Sequence, residues 1–574
     1  MWNIILDGLF ILNEYKWGVF IFLVSVFCLG FFQIRQLTND KLDPEFNLLA
    51  SFGIGSINLC ILSYILVLFA YFWPPLLQIG SWAILLLLGY ISLRLIILNK
   101  LKPIFNFQLI TLGTGLLILL IMRLAFLKNI ILPPYSDSPI HYQIILGLLN
   151  PDKNYNLKLS LGNIFINYYH FGFHSLTAWL ALVTELDPLV IIPLLGQLFL
   201  FLAPMSVAAF TYIATNNLYS ALFSGLLAAI GWMMPAFSVN WGKYPALTAI
   251  SILPAVFTLP WLYQYSNGKK SIFLFYSLLA LIGIVLIHSR IVICLLLGIG
   301  SYFLASKLKF KAQLGVFQAI RLSILFIFSL WPLSQLLTGF YKDTPPWIVL
   351  LILIPFAFQY YPKIIAGIFF FTFGLWFSAL APNLLKINFP PLLDRQFLEM
   401  MLYIPFSVIG GVGLGGLIKR FEKNRILKWT AIIPFMAILV LGFPQSNLFR
   451  PDSCCNYFTE DDKIAFQWIQ TNKSDHTLFI ISTINYDGKM SGSDAGIWIY
   501  PLAQTPINKL PFNVKWNSTK IFEEICRSGL METFVYAGGG NFSFDKSQLT
   551  KETWAQSVFQ TGKVTIYKID KCRE

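Results

Sequence analysis

The sequence predicts a mainly α-helical, polytopic membrane protein: a transmembrane bundle of about fourteen spans followed by a small α/β domain. Three observations carry that expectation. Of 574 residues, 57% are hydrophobic and only 12% charged, with a mean hydropathy of +0.68, outside the range of soluble globular chains. Apolar windows of about 17–25 residues, long enough to cross a hydrocarbon layer ~30 Å thick, recur between residues 16 and 446. From about Asp452 the pattern turns to short amphipathic and β-type runs. The net charge of +14 would suggest nucleic acid in a soluble chain. Here Lys and Arg collect in short loops between apolar runs, the positive-inside pattern, so membrane lipids are expected as partners and nucleic acid is not.

Taken in order, the first spans fall near 16–34, 48–72, 77–98 and 107–127. Arg35 and Lys41 follow the first, and Arg94, Lys100 and Lys102 mark the end of the third, which makes those two loops cytoplasmic. The N-terminus and the loop 128–187 are then outside. The N-terminus lacks the basic stretch and small-residue cleavage site of a signal peptide, so the first span is expected to remain. Tyr168–Val183 is apolar enough to cross, but crossing would place Asn267–Lys270, Ser306–Arg321 and Lys419–Arg425 outside, against the charge rule three times. It is therefore read as a helix lying at the outer membrane surface, with His170 and His174 one turn apart on one face. The remaining spans fall near 188–213, 218–237, 244–264, 271–288, 290–306, 318–338, 346–360, 363–381, 397–418 and 428–446.

Residues 1–450 thus form the membrane domain and 451–574 an extracytoplasmic domain of a plasma-membrane protein. In the latter, Glu460–Ile469, Lys520–Cys526 and Thr553–Phe559 read as helices; Leu478–Ile481, Thr533–Tyr536 and Val564–Tyr567 read as strands. Cys28, Cys60 and Cys294 lie in apolar runs and read as packing. Cys454, Cys455, Cys526 and Cys572 lie in the outer domain, with their pairing open.

The candidate site begins at Ile131–Tyr142. Two prolines stop the preceding helix, and Asp137 and His141 follow four residues apart, on one face of a helix that starts near Ser138. A carboxylate and an imidazole at the mouth of a membrane bundle are costly to desolvate. Other polar residues gather on the same outer face: His170 and His174, Lys243 and Tyr244 in the turn Asn240–Pro245, His288 and Arg290, and Asp394 and Arg395. Each has a bland reading: snorkelling anchors for Lys243 and Arg290, a local ion pair for Asp394–Arg395, a helix cap for His288, and a surface helix for His170 and His174. Together, on the side where positive charge is not expected, they suit a lipid-phosphate ligand. The carboxylate would act as base or metal ligand, and the cations would stabilise developing phosphate charge.

Pro134–Tyr142, Tyr169–His174, Trp241–Pro245, His288–Arg290, Asp394–Phe397 and Asp461–Ile469 make the chain resemble the GT-C superfamily of polytopic glycosyltransferases, in an uncharacterised prokaryotic branch. The resemblance implies a polyprenyl-phosphate-linked sugar donor and a glycan, lipid or protein acceptor. It implies Asp137 as the catalytic acidic residue. In this reading His141 supports Asp137, and Lys243, Tyr244, His288, Arg290, Asp394, Arg395, His170 and His174 are lipid-phosphate or substrate contacts. No second acid stands beside Asp137, so a divalent metal on Asp137 and His141 stays open. Two other classes compete: a transporter or flippase of lipid-linked saccharides, for which no internal repeat or midplane charge speaks, and a non-catalytic scaffold.

Overall fold

The computed structural model describes residues 2–38, 42–97, 107–150, 170–265, 270–329, 339–342, 344–384, 392–442, 448–486, 489–526 and 532–570. Tyr169, Lys41, Lys100, Lys102, Asn267–Lys269, residues 389–391 and Cys572 lie outside them. The chain divides into two compact units. One comprises Met1–Lys128, Gly147–Val239 and Tyr244–Arg450; the other comprises Asn129–Leu146, Asn240–Lys243 and Pro451–Glu574.

The first unit is helical. Among the described residues, nine helices are long and apolar enough to cross a membrane: Lys16–Thr38, Pro44–Ala70, Pro75–Leu95, Leu109–Asn129, Pro188–Thr215, Tyr244–Leu262, Lys270–Ile287, Pro362–Leu380 and Arg395–Arg420. All nine coincide with expected spans. The expected spans at 218–237, 290–306, 318–338 and 346–360 appear as shorter helices, Leu218–Gly231, Ile291–Lys307, Val316–Ser329 and Pro346–Tyr360. Burial sorts the bundle into centre and rim. The apolar windows of Pro188–Thr215 and Arg395–Arg420 are 94% and 100% buried, those of Pro75–Leu95 and Lys270–Ile287 only 22%. Leu86, Phe317 and Ile426 are among the side chains left facing outward, as lipid contact requires.

Close approach at the centre depends on small residues. Along Tyr403–Arg420, a Cβ on Gly411 would lie 2.5 Å from the Ser224 side chain, and one on Gly413 would lie 2.6 Å from the Leu353 carbonyl oxygen. Arg123, buried at the end of its span, donates to the Leu448 carbonyl (3.1 Å) and the Ala229 carbonyl (2.5 Å), and its guanidinium lies over the Phe449 ring. Ala229 belongs to a π-helical turn, Leu227–Gly231, whose register leaves carbonyls without helical donors.

The helix expected across 168–183 runs from Gly172 to Thr184. At 13 residues it is short for a crossing, but it is no exposed surface helix. Nearly every residue in it is buried, including Trp179 and Leu180. The reason is packing: the sequence is apolar around the whole helix rather than along one stripe, and Gly172 lets its start come within 2.9 Å of the Leu286 and Ile287 backbone, measured from an added Cβ. His170 precedes the helix, so it does not share a helical face with His174.

The second unit carries a six-stranded mixed sheet. Its strands are β1 (Thr477–Tyr486), β2 (Lys489–Gly492), β3 (Ile507–Pro511), β4 (Glu532–Ala537), β5 (Ala555–Thr561) and β6 (Val564–Ile569). The order is β2-β1-β4-β6-β5, with β3 also beside β1. β1 runs parallel to β3 and β4, and the other pairings are antiparallel. The helix Glu460–Asn472 begins with a capping box between Thr459 and Asp462 and sets Phe466 against Tyr536 and Trp468 against Phe559. Ile480, Val535, Trp516 and Leu549 lie in a core on this sheet. Residues 553–559, expected as helix, contribute instead to β5. Gly562, at φ +45°, closes a tight hairpin to β6, and cross-strand pairing overrides the local helical spacing. Cys454 and Cys455 are bonded to each other, and Cys526 is also disulfide-bonded.

Candidate functional site

Two groups of the candidate residues form, one in each unit. The first is built where Asn129–Leu146 and Asn240–Lys243 join the C-terminal sheet domain. Past Pro133 and Pro134 the chain turns through Tyr135, a non-glycine residue at φ 67°. The Tyr135 N–H donates to the Cys455 carbonyl at 2.9 Å, which fixes this turn against the disulfide loop. Asp137 then opens the helix Ser138–Leu149: its carbonyl accepts from the N–H groups of Ile140 (3.1 Å) and His141 (3.2 Å). The Ser138 hydroxyl donates back to the Pro134 carbonyl.

The turn Asn240–Lys243 closes on this helix start. The Asn240 side-chain oxygen accepts from the Asp452 N–H at 2.9 Å. Gly242 takes φ +63°, and a Cβ there would sit 2.8 Å from the Ser138 hydroxyl oxygen and 3.2 Å from the Pro134 carbonyl, so both conformation and space demand glycine. The Gly242 carbonyl accepts from His141 Nε2 at 3.0 Å. A carbonyl can only accept, which places the proton on Nε2. Burial pushes the His141 pKa down to about 4, so the ring is neutral at physiological pH. The turn thereby delivers Lys243, whose Nζ donates to Asp137 Oδ2 at 2.6 Å; both side chains are about a third exposed.

This grouping assigns chemistry to each residue. Asp137 is a reachable acceptor at a helix start, His141 is a neutral strut, and Lys243 is a cation held on the carboxylate. An ammonium has three N–H donors, so the ion pair with Asp137 does not exhaust Lys243. The residues do not suit a metal. His141 commits Nε2 to a carbonyl, Asp137 faces an ammonium, and among the described residues no group of three or more His, Cys, Asp or Glu side chains could hold an ion.

The second group lies in the first unit, where the turn His288–Arg290 meets the start of the Arg395–Met401 helix. The His170 and His288 rings lie 4.3 Å apart, and His288 stacks on Phe397 at 5.2 Å. Asp394 caps the helix by accepting from the Phe397 N–H at 2.7 Å and pairs with Arg290. Arg395 Nε donates to Glu399 Oε1 at 3.0 Å. His174 and Tyr244 are both fully buried and both pack against Phe173.

Sequence reasoning missed three kinds of contributor. Glu399, almost fully buried, was detectable from its i,i+4 spacing to Arg395. Asp452 and Asn240 tie together segments more than two hundred residues apart, which no local pattern reports. A cleft of about 180 Å³ beside Asp137 takes in Gln143, Ser491, Tyr500 and Lys509, residues contributed by two strands and two helices whose juxtaposition is purely tertiary.

No protein-family profile matches the chain, and no curated protein does either. Solved structures similar to it include the cryo-EM structure of the mycobacterial arabinofuranosyltransferase AftD, at 12% identity and TM-score 0.37 over 70% of this chain and 35% of that one. A point mutant of the same enzyme gives 10% identity and TM-score 0.31 over 69% and 36%. The chain therefore spans about a third of the length of those structures.

Proposed function

We propose that this chain is a membrane glycosyltransferase that moves a sugar from a polyprenyl-phosphate carrier to a glycan, lipid or protein acceptor on the outer side of the plasma membrane. The observation that carries the reading is the Asp137–His141–Lys243 constellation: a partly exposed carboxylate at a helix start, beside a cleft, with a lysine on its flank. In the reaction, the acceptor hydroxyl attacks the anomeric carbon. The new C–O bond forms as the bond from that carbon to the phosphate oxygen breaks, the hydroxyl proton passes to an Asp137 oxygen, and the polyprenyl phosphate leaves with the bonding pair. General-base assistance of this kind contributes about 10²–10⁴-fold. Lys243 orients Asp137 in the resting protein and offers its remaining donors to the phosphate. Arg290 and Arg395, paired with Asp394 and Glu399, form a separate cationic group in the first unit that suits an anionic lipid.

The proposal includes the finer topology. The four shorter apolar helices and Arg425–Gly442 cross as well, giving about fourteen spans by the length rule allowing for local thinning, with the C-terminal domain outside. Two experiments test it. Purified full-length chain is offered radiolabelled polyprenyl-phosphate sugars with a cell-envelope glycan fraction; absence of transfer from every donor refutes the enzyme reading. Single cysteines at Ile140 and Lys551, both exposed positions, should label with a membrane-impermeant reagent from outside, and labelling only from the cytoplasm refutes the orientation.

A further inference from the structure

The cleft beside Asp137 has features that the base alone does not require. One wall is the first two turns of the Ser138–Leu149 helix, presenting Asp137, Ile140 and Gln143. The facing wall is the sheet edge, where β2 and β3 lie along the same side of β1 and contribute Ser491 and Lys509. Tyr500, on the short helix Ile499–Ala503, leaves 39% of its surface uncovered at the cleft. All of these residues belong to the second unit.

Three properties of this space bear on what it holds. Its volume, about 180 Å³, is below the ~300–1,000 Å³ of pockets that enclose drug-sized ligands, so it fits one ring-sized group. Its lining alternates apolar surface with an amide, a hydroxyl, an ammonium and a carboxylate, which supply both donors and acceptors. A planar sheet-like ligand would leave these polar groups unpaired; a ring with several hydroxyls and a flat C–H face would pair them and cover the Tyr500 ring. Asp137 stands in the wall itself, so a hydroxyl of the bound ring falls within its reach.

We propose that this cleft is the acceptor subsite and that it binds a saccharide ring, with Tyr500 under the ring face and Gln143 and Lys509 on its hydroxyls. The inference rests on the glycosyltransferase reading for the direction of transfer, but sugar binding itself does not. The test is saturation-transfer NMR on the full-length chain in detergent, with millimolar methyl glucoside, galactoside and mannoside as probes. At least one glycoside should give a signal that Tyr500→Ala and Gln143→Ala each reduce threefold or more. Tyr500→Phe, which keeps the ring face, should retain it. If no probe binds, or if the signal survives in either alanine variant, the subsite is wrong. Glycoside binding without transfer from any lipid donor would leave the subsite standing and overturn the enzyme reading; transfer activity without glycoside binding would do the reverse.

Discussion

His141 gives the sharpest physical test of how the site is held together. Its ring is buried, its Nε2–H is committed to the Gly242 carbonyl, and burial lowers its pKa to about 4 against an ordinary 6.5. Charging it therefore costs more in the folded chain than in the unfolded one. Between pH 6.5 and about 4 the unfolded state binds the extra proton, so stability is full above pH 6.5 and falls as the pH drops through this window. At about 1.4 kcal/mol per unit of pKa difference, the loss accumulates to about 3 kcal/mol by pH 4. Asp494 works in the opposite sense. Burial raises its pKa to about 6, so the folded chain gains relative stability as pH falls from 6 towards 4. A single pH profile would mix the two, whereas the difference between wild type and His141→Gln isolates the histidine. Gln keeps an N–H donor for Gly242 and does not titrate. Hydrogen exchange of the peptides covering 129–146 and 240–243, corrected for intrinsic rates, should show wild-type protection falling relative to His141→Gln by about 100-fold or more between pH 7 and 4, the bulk of that ~3 kcal/mol. Parallel curves for the two proteins would mean that His141 is solvated or charged in the native state, and the strut assignment would fail.

Other perturbations follow from the same geometry. Gly242→Ala forces a Cβ into a left-handed turn and against the Ser138 hydroxyl, at about 2 kcal/mol locally. Since a displacement near 1 Å can cost ~10²-fold in rate, transfer activity should fall about a hundredfold while membrane abundance is kept; near-normal activity contradicts the tight docking of this turn. Arg290→Ala should change thermal stability by less than about 1 kcal/mol, because its pair with Asp394 is nearly half exposed, and should raise the KM for the lipid donor with little change in kcat. An unchanged KM removes Arg290 from donor binding. Lys243→Ala should lower kcat as well as raise KM, since it frees Asp137 to move; a pure KM effect would confine Lys243 to the phosphate.

The sequence made the bundle legible because lipid imposes a length and a composition that single residues cannot hide. All nine long helices stood out in this way, as did the helix opened by Asp137 after Pro133–Pro134. The 172–184 helix shows where this logic stops: an apolar stretch reads alike whether lipid, interface or protein covers it, and only Gly172 and its backbone contact reveal protein. In the C-terminal domain, the dipeptide Asp487–Gly488 is a turn signal in the sequence that could have pointed to β2. β5 could not be read locally, because its pairing partner decides its state. Asp137 with His141 was readable from i,i+4 spacing. The Asp137–Lys243 pair spans 106 positions and depends on a positive φ at Gly242 and on the Asn240–Asp452 tie, so only the fold could supply it.

The central claim is that Asp137 takes the acceptor proton. Asn at this position keeps the size of the side chain, and the contacts that Asp137 makes to the helix start run through its backbone carbonyl. A structural Asp137 would therefore tolerate the change at roughly 1 kcal/mol or less. A base would not, because an amide does not accept a proton at neutral pH. The measurement is the single-turnover rate of sugar transfer from a saturating polyprenyl-phosphate donor, for wild type and Asp137→Asn at equal membrane abundance. A drop of about 10²–10⁴-fold with unchanged donor affinity is the expected result, and a rate within a few-fold of wild type would contradict the account.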